Sequence, residues 1–330
     1  RGQESGGGQQ RDEMPPSRKV PAAEDRETVK HIKNKVKRKE VLDRIRKQKK
    51  DLKKEKREQT KKDRKDPDKK DLPKNVPKTL DNMREHDETI LVSEDEEVAM
   101  DEEEDEFRKY FEGEAPKTII TTNNHPSKGL IDFVKTLLQL IPGSYYYARR
   151  NFDIKQICEW SGERGFTNLI ILGQGLQLGG NKKNPCSMLL VHLPEGPTCH
   201  FRVSSIKFPD KIKNRATTSR HKPELILNNF STRLGMRVSR GLASLFPQDP
   251  EFTGRRVVTV HCQRDFLFWR HHRYIFPEDK KGTKARLQEI GPRFTLKLKS
   301  LQTGTFDSTR GEYEWIHKKE KETSKKRFFL

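Results

Sequence analysis

The chain has little of what marks most functional classes. Its four cysteines, Cys158, Cys186, Cys199 and Cys262, show no CxxC spacing, so they spell out neither a disulfide framework nor a cysteine-based zinc site. They read as reduced, buried thiols of an intracellular protein. No run approaches the roughly 18 consecutive apolar residues of a membrane helix, and no membrane partner is expected. No signal-peptide core is visible, although a chain that starts at Arg1 rather than Met could have lost a leader. GxxxxGK[ST] is missing, no GxGxxG follows a strand-like run, and GxSxG is absent. The histidines and cysteines at His192, Cys199, His200, His261, Cys262, His271 and His272 fit no familiar zinc pattern. Clustered carboxylates that could hold Mg²⁺ are missing from the part that reads as folded. No metal, cofactor or small-molecule substrate is expected, and the chain reads as a protein that is not an enzyme.

What the chain has in excess is positive charge. Lys and Arg outnumber Asp and Glu by 69 to 49, a formal net charge of +20, which calls for a polyanionic partner. Only 31% of residues are hydrophobic and 36% are charged, too polar a balance for one uniformly globular body. The charge is unevenly spread, and it divides the chain. Residues 1–23, rich in Gly, Gln, Pro and charge, read as disordered. Residues 24–66 form a basic helical arm without Gly or Pro until its end, where Val29, Ile32, Val36, Leu42, Ile45 and Leu52 make a narrow apolar stripe. Alone in water such a helix is marginal. Residues 67–115 read as a Pro-containing and then acidic linker. The folded part is expected over 116–318, and 319–330 as a basic, frayed tail.

Within 116–318 the sequence repeats itself. Gly196–Ile206, GPTCHFRVSSI, matches Gly291–Leu301, GPRFTLKLKSL, with Phe201 against Leu296, Arg202 against Lys297 and Val203 against Leu298. TIITTNN from Thr118 and LILNNFS from Leu225 each precede a helix-like run that ends at a proline. Two similar α/β halves are therefore predicted, about 116–207 and 222–318. The first half is longer by roughly the Gly-rich segment Gly173–Asn184, which reads as a loop insertion.

The stretch Gln288–Gly304 alternates Phe294, Leu296 and Leu298 with Thr295, Lys297 and Lys299. Period two puts the first set on a core face and the second, with Arg293, on the other face. The RNA-binding candidates are accordingly Gln288, Arg293, Thr295, Lys297 and Lys299, with Arg202 and Lys207 as the equivalents in the first half. Arg233, Arg237 and Arg240 add a stripe on the second-half helix, and Arg255 and Arg256 open a strand. Aromatics interleave with Arg270 and Arg273 in FLFWRHHRYIF, where core packing is the plainer reading for Phe266, Phe268 and Trp269. The loops TTNNHPS and NNFSTR each lead into a helix whose N-terminus could seat a phosphate.

TIITTNNHPS, HLPEGPT from His192, LILNNFSTRLG and EIGPRFTLKLKSLQTGTFD together resemble the Brix-domain family of eukaryotic ribosome-assembly proteins. PKTLDNMREHDET, QRDFLFWRHHRYIF and GEYEWIHK narrow the resemblance to one branch of it. The last of the first four stretches resembles the sigma-factor-like RNA-binding segment of that family. The resemblance implies an α/β fold of two similar halves in a protein of the nucleus and nucleolus. It implies binding to precursor rRNA of the large (60S) subunit, beside ribosomal proteins and a small basic nucleolar assembly partner. One loop departs from the family pattern, with Asn123, Asn124 and His125 where Ser and Arg or Lys are frequent, and neutral His is a poorer anion ligand. Two other readings stand beside this one. The chain could be a protein-interaction scaffold with only nonspecific RNA affinity from its tails, or a nuclease, for which the acids are wanting.

Overall fold

The computed structural model describes residues 29–63, 77–91, 100, 105–176, 183–276, 285–307, 309–318, 320, 324 and 326–330. The expectations for residues 1–23, for 67–76 and for most of the acidic run before Asp105 lie outside the described residues.

The arm is a helix, α1 (Lys35–Asp63). Lys, Arg, Glu and Gln have good helix propensity, and no Gly or Pro interrupts them. Asn34 caps its start, accepting from the Val36 amide at 2.9 Å. Val36 and Leu52, two members of the sequence stripe, are exposed. Nothing in α1 forms a buried apolar face of its own.

The body is built on one sheet. Its strands are β1 (Thr118–Thr122), β2 (Ser144–Tyr146), β3 (Asn168–Leu176), β4 (Lys183–His192), β5 (Thr198–Lys207), β6 (Glu224–Asn228), β7 (Arg256–Gln263), β8 (Phe266–Ile275), β9 (Arg286–Glu289), β10 (Arg293–Gln302) and β11 (Tyr313–Ile316). The order is β2-β1-β3-β4-β5-β10-β8-β7-β6, with β11 also on β10 and β9 on β8. β1 is parallel to β2 and β3, and β6 to β7; the other pairs are antiparallel. The helices of the body are α2 (Arg108–Phe111), α3 (Lys128–Leu140), α4 (Ile154–Glu163) and α5 (Arg233–Ala243). Ser127 caps α3 and Thr232 caps α5, each side chain accepting an amide of the first turn.

The strand order explains the internal repeat. β1-α3-β3-β4-β5 is matched by β6-α5-β7-β8-β10, and the halves meet where β5 and β10 pair antiparallel. One aligned pair, Arg202 and Lys297, is also a cross-strand pair, and on either side of it the aligned residues exchange partners. Arg202 faces Lys297, with Val203 opposite Leu296 and Phe201 opposite Leu298. A local two-fold through the Arg202–Lys297 pair produces that register. Gly196 and Gly291 both have positive φ, +113° and +81°, before cis prolines. A Cβ on Gly196 would lie 2.6 Å from the Thr303 carbonyl oxygen, and one on Gly291 2.6 Å from Ile212 Cδ1. Only glycine fits both corners.

One side of the sheet carries the main core. Leu130, Phe133, Val134 and Leu137 of α3, with Val238 and Leu242 of α5, pack on Ile120, Ile170, Phe201, Val258, Trp269, Phe294, Leu296 and Leu298. On the other side α4 covers only the first half, through Ile154, Ile157 and Cys158 against Ile119, Leu169, Ile171 and Val191. No helix covers that side of the second half among the described residues.

Three expectations about the chain outside and within this body are corrected. The Gly-rich segment Gly173–Asn184 is not a bare loop: Gly173–Leu176 and Lys183–Ser187 continue β3 and β4 past a bulge after Gly173. Residues before 116 pack on the body, since Phe107 is buried against His192, and the Tyr110 hydroxyl donates to the Phe246 carbonyl at 2.6 Å. The tail is anchored too. The Phe329 and Leu330 amides donate to Asp265 Oδ1, and Leu330 is buried.

Candidate nucleic-acid interface

The uncovered side of the second half brings together the side chains of alternate strand positions. On β8, Leu267, Trp269 and His271 point into the core, so Phe266, Phe268, Arg270 and His272 point out. Cross-strand pairing sets Phe266 beside Lys297 and Phe268 beside Thr295 on one flank, and beside Gln263 and His261 on the other. Past Lys297 comes Arg202, and past Arg202 comes Ser187. One row across the sheet thus reads Ser187, Arg202, Lys297, Phe266, Gln263.

Two cations sit at the centre of this row, directly opposite each other on the local two-fold. Like charges in that relation repel, and a phosphate between them would convert the repulsion into attraction. Asp265, in the turn before β8, lies within electrostatic range of Lys297. Lys299 lies one step on, at a bulge of β10 where Leu298 and Ser300 pair with consecutive residues Phe201 and His200. Arg202, Lys299, His200, Cys186, Tyr313 and His317 line a shallow recess of about 630 Å³. Burial, and then the charge of Lys299, hold His200 below the ordinary imidazole range, and its Nε2 lies 3.0 Å from Ser187 Oγ. It is neutral near pH 7. The Lys297 ammonium stands 5.3 Å from the Phe266 ring centre, and the Arg270 guanidinium 5.7 Å from that of Phe268.

The structure sorts the expected residues. Arg202, Lys297 and Lys299 share the open face. Thr295 lies on that side but is buried beneath its neighbours, at 6% exposure, and offers no outward contact. Arg293 is held by Glu289 through Nε at 2.7 Å, so its charge is largely answered within the chain. Lys207 is its exposed cross-strand partner at the end of β5. Arg255 and Gln288 meet at another place. With Arg273 and Arg286 they line an edge recess of about 510 Å³, where Gln288 also donates to the Asn214 carbonyl at 2.9 Å.

The helix stripe and Arg256 are corrections. Arg256 is 3% exposed, and its guanidinium donates to the carbonyls of Ser219, His221 and Gln139 and to His271 Nε2. It ties α3 of one half to β7 of the other. Arg237 is clasped by Glu314 and by Glu106, and Arg240 by Asp105, with the Phe111 ring 4.1 Å from its guanidinium. α5 thus uses these arginines to hold the acidic segment that precedes α2. Arg233 of the same helix is exposed. Nor are the helix N-termini open for phosphate in the expected way. Thr232 at α5 donates to the Phe329 carbonyl with Leu330 packed on Gly235, and the Ser127 amide at α3 is taken by Gln174.

Sequence reasoning left Phe266, Phe268 and Arg270 out of the site. The signal was the alternation in FLFWRHHR, which puts Phe266 and Phe268 in phase with Arg270 and opposite to the buried Trp269. Phe266 is 39% exposed. Among the described residues no group of three or more His, Cys, Asp or Glu side chains is placed to hold a metal ion.

Residues 123–300 match the Brix domain model. The chain is 49% identical over 261 residues to ribosome production factor 1 of Danio rerio, covering 78% of this chain and 76% of that one. It is 45% identical over 306 residues to the Mus musculus protein of the same name, covering 92% and 85%. A solved structure, a probable ribosomal biogenesis protein from Aeropyrum pernix K1, aligns over 62% of this chain and 99% of its own at 14% identity and a TM-score of 0.41. The matched model spans more than half of the chain, and the chain belongs to the Brix-domain family.

Proposed function

We propose that this protein is a non-catalytic assembly factor of the large (60S) ribosomal subunit that binds precursor rRNA on the open side of its sheet. The names of its relatives support a role in ribosome production. The observation that carries the RNA reading is the Arg202–Lys297 pair on the local two-fold, beside Lys299 and flanked by the outward rings of Phe266 and Phe268. Cations that track a backbone, next to planar groups on which bases stack, are what RNA contact requires. The setting is the nucleolus, with ribosomal proteins and a small basic assembly partner alongside. The basic helix α1 adds sequence-independent attraction.

The test is a salt titration of RNA binding by the full chain with Arg202→Gln, Lys297→Gln and Lys299→Gln combined. If each cation meets one phosphate, the slope of log affinity against log salt falls by roughly 0.7–0.9 per contact. Sequence preference stays as it was, because phosphate contacts position without specifying. An unchanged slope in the folded triple variant would remove the open face from the RNA interface and leave the scaffold reading.

A further inference from the structure

A second exposed aromatic group lies at the opposite end of the sheet, on the outermost strand β2. Tyr145, Tyr146 and Tyr147 are consecutive and are 52%, 36% and 55% exposed. Tyr145 pairs with Ile119, whose side chain lies under α4, so Tyr145 and Tyr147 stand on the α4 side of the sheet. Both meet the Phe166 ring edge-on, at 6.1 and 6.4 Å. Phe152, just before α4, and Trp160, on its outer flank, form another edge-on pair at 5.2 Å, and both are exposed. Core packing does not account for them, since Ile154, Ile157 and Cys158 already supply the buried face of α4.

Between the tyrosines and Phe152 lie Arg149 and Arg150. Arg149 Nε donates to the Phe152 carbonyl at 2.9 Å, and Arg150 has a φ of +52°. Neither arginine forms an ion pair among the described residues, unlike Arg237, Arg240 and Arg293. The acids nearby are Asp153, Glu159 and Glu163 of α4 and its approach, and Lys155 pairs with Asp307 at 3.8 Å. An anionic backbone would therefore be drawn to the Arg149–Arg150 corner, and planar groups to the aromatic flank beside it.

We infer that this edge is a second nucleic-acid site, specific for single-stranded RNA. Phosphates sit against Arg149 and Arg150, and unpaired bases stack on Tyr145, Tyr147, Phe152 and Trp160. A duplex cannot use such a platform, because its bases are already stacked within the helix. The site faces the same side of the sheet as the Arg202–Lys297 pair, about 19 Å from β5 at one strand spacing per step. The competing occupant is a peptide strand added to β2. A three-residue edge gives it few backbone bonds, and the arginines at its corner favour a polyanion. The inference takes its ligand class from the proposed function but not its location.

Trp160 makes the test local, because Trp269 is buried in the core and Trp315 is half-buried. The full chain is titrated with a short oligoadenylate at about 0.15 M salt, following tryptophan emission. The expected result is quenching that Trp160→Phe largely removes. Arg149→Gln with Arg150→Gln shifts its midpoint by roughly tenfold or more, as loss of charge-assisted contacts does. Lys297→Gln with Lys299→Gln leaves the Trp160 signal in place, so failure of the open-face site and failure of this one are separable. No quenching, equal quenching by an RNA duplex, or an unmoved midpoint in the folded arginine variant would overturn the inference. The first of these outcomes would leave a protein strand as the occupant of β2.

Discussion

Two sets of cations in this molecule look alike in the sequence and differ in use. Arg237, Arg240 and Arg256 face acids or carbonyls of the chain itself, while Arg202 and Lys297 face each other. The first set is consumed by folding. Arg240 and Asp105 are mostly buried together, at 13% and 5% side-chain exposure, which is a structural pairing and not a surface one. The second set is brought together by the local two-fold of the fold, with Asp265 within electrostatic range of Lys297. Counting basic residues therefore says little about where a polyanion would bind. What matters is how deeply the fold buries each cation and how tightly it clasps it.

The sharpest way to break this comparison is Arg256→Ala. It would strip a partner from three carbonyls and from His271, all inside the body. Destabilisation of about 3–5 kcal/mol is expected in a urea melt. The salt slope of RNA binding in the remaining folded protein should not move. A stable Arg256→Ala variant with a flattened slope would return Arg256 to the RNA-binding set.

Much of this was legible in the chain and some was not, for physical reasons. The alternation from Phe294 to Lys299 and the paired Gly-Pro corners are local, so the strands and the repeat could be read. The alignment set Arg202 equivalent to Lys297 but not opposite it; that they meet follows from a two-fold passing through this one pair, which the alignment does not show. The partners of α5 could not be read, since Arg240 and Asp105 are 135 residues apart. Arg256 misled because it opens an alternating strand and only tertiary packing buries it. Phe266 and Phe268 were obscured by composition: an aromatic-rich strand suggests core, and among the described residues no helix lies over this side to bury them.

Acid should act on the inner set before the outer one. His271 Nδ1 donates to the Gly291 carbonyl at 2.8 Å, and its Nε2 must then accept from Arg256. Burial, and less strongly the charges of Arg256 and His272, depress its pKa to about 4, against a hydrogen bond that opposes the shift. The neutral form belongs to the folded state, so the contribution is complete above the unfolded value near 6.5 and is lost as pH falls toward 4. Its size is roughly 3 kcal/mol. Stability measured by denaturant over that window should fall with pH in the native chain and more shallowly in His271→Gln. Equal slopes in the two proteins would show that the Arg256–His271 contact does not hold the imidazole neutral.

The smallest expected effect is the most discriminating. Lys297 and Lys299 sit on the face away from the core, while Leu296 and Leu298 on either side of Lys297 are buried. Replacing both lysines by Gln should leave stability within about 0.5 kcal/mol, because substitutions outside buried networks rarely do more. A small gain would fit better still, since removing Lys297 relieves its repulsion with Arg202 across the two-fold. The measurement is a pair of urea melts, at low salt and at high salt. At high salt the repulsion is screened, and any gain should shrink. A loss of 2 kcal/mol or so would instead place these lysines with Arg237 and Arg240, as cations that the fold spends on itself. The distinction between the two sets would then rest on Arg202 alone, and the proposed phosphate site between the repeats would lose half of its cations.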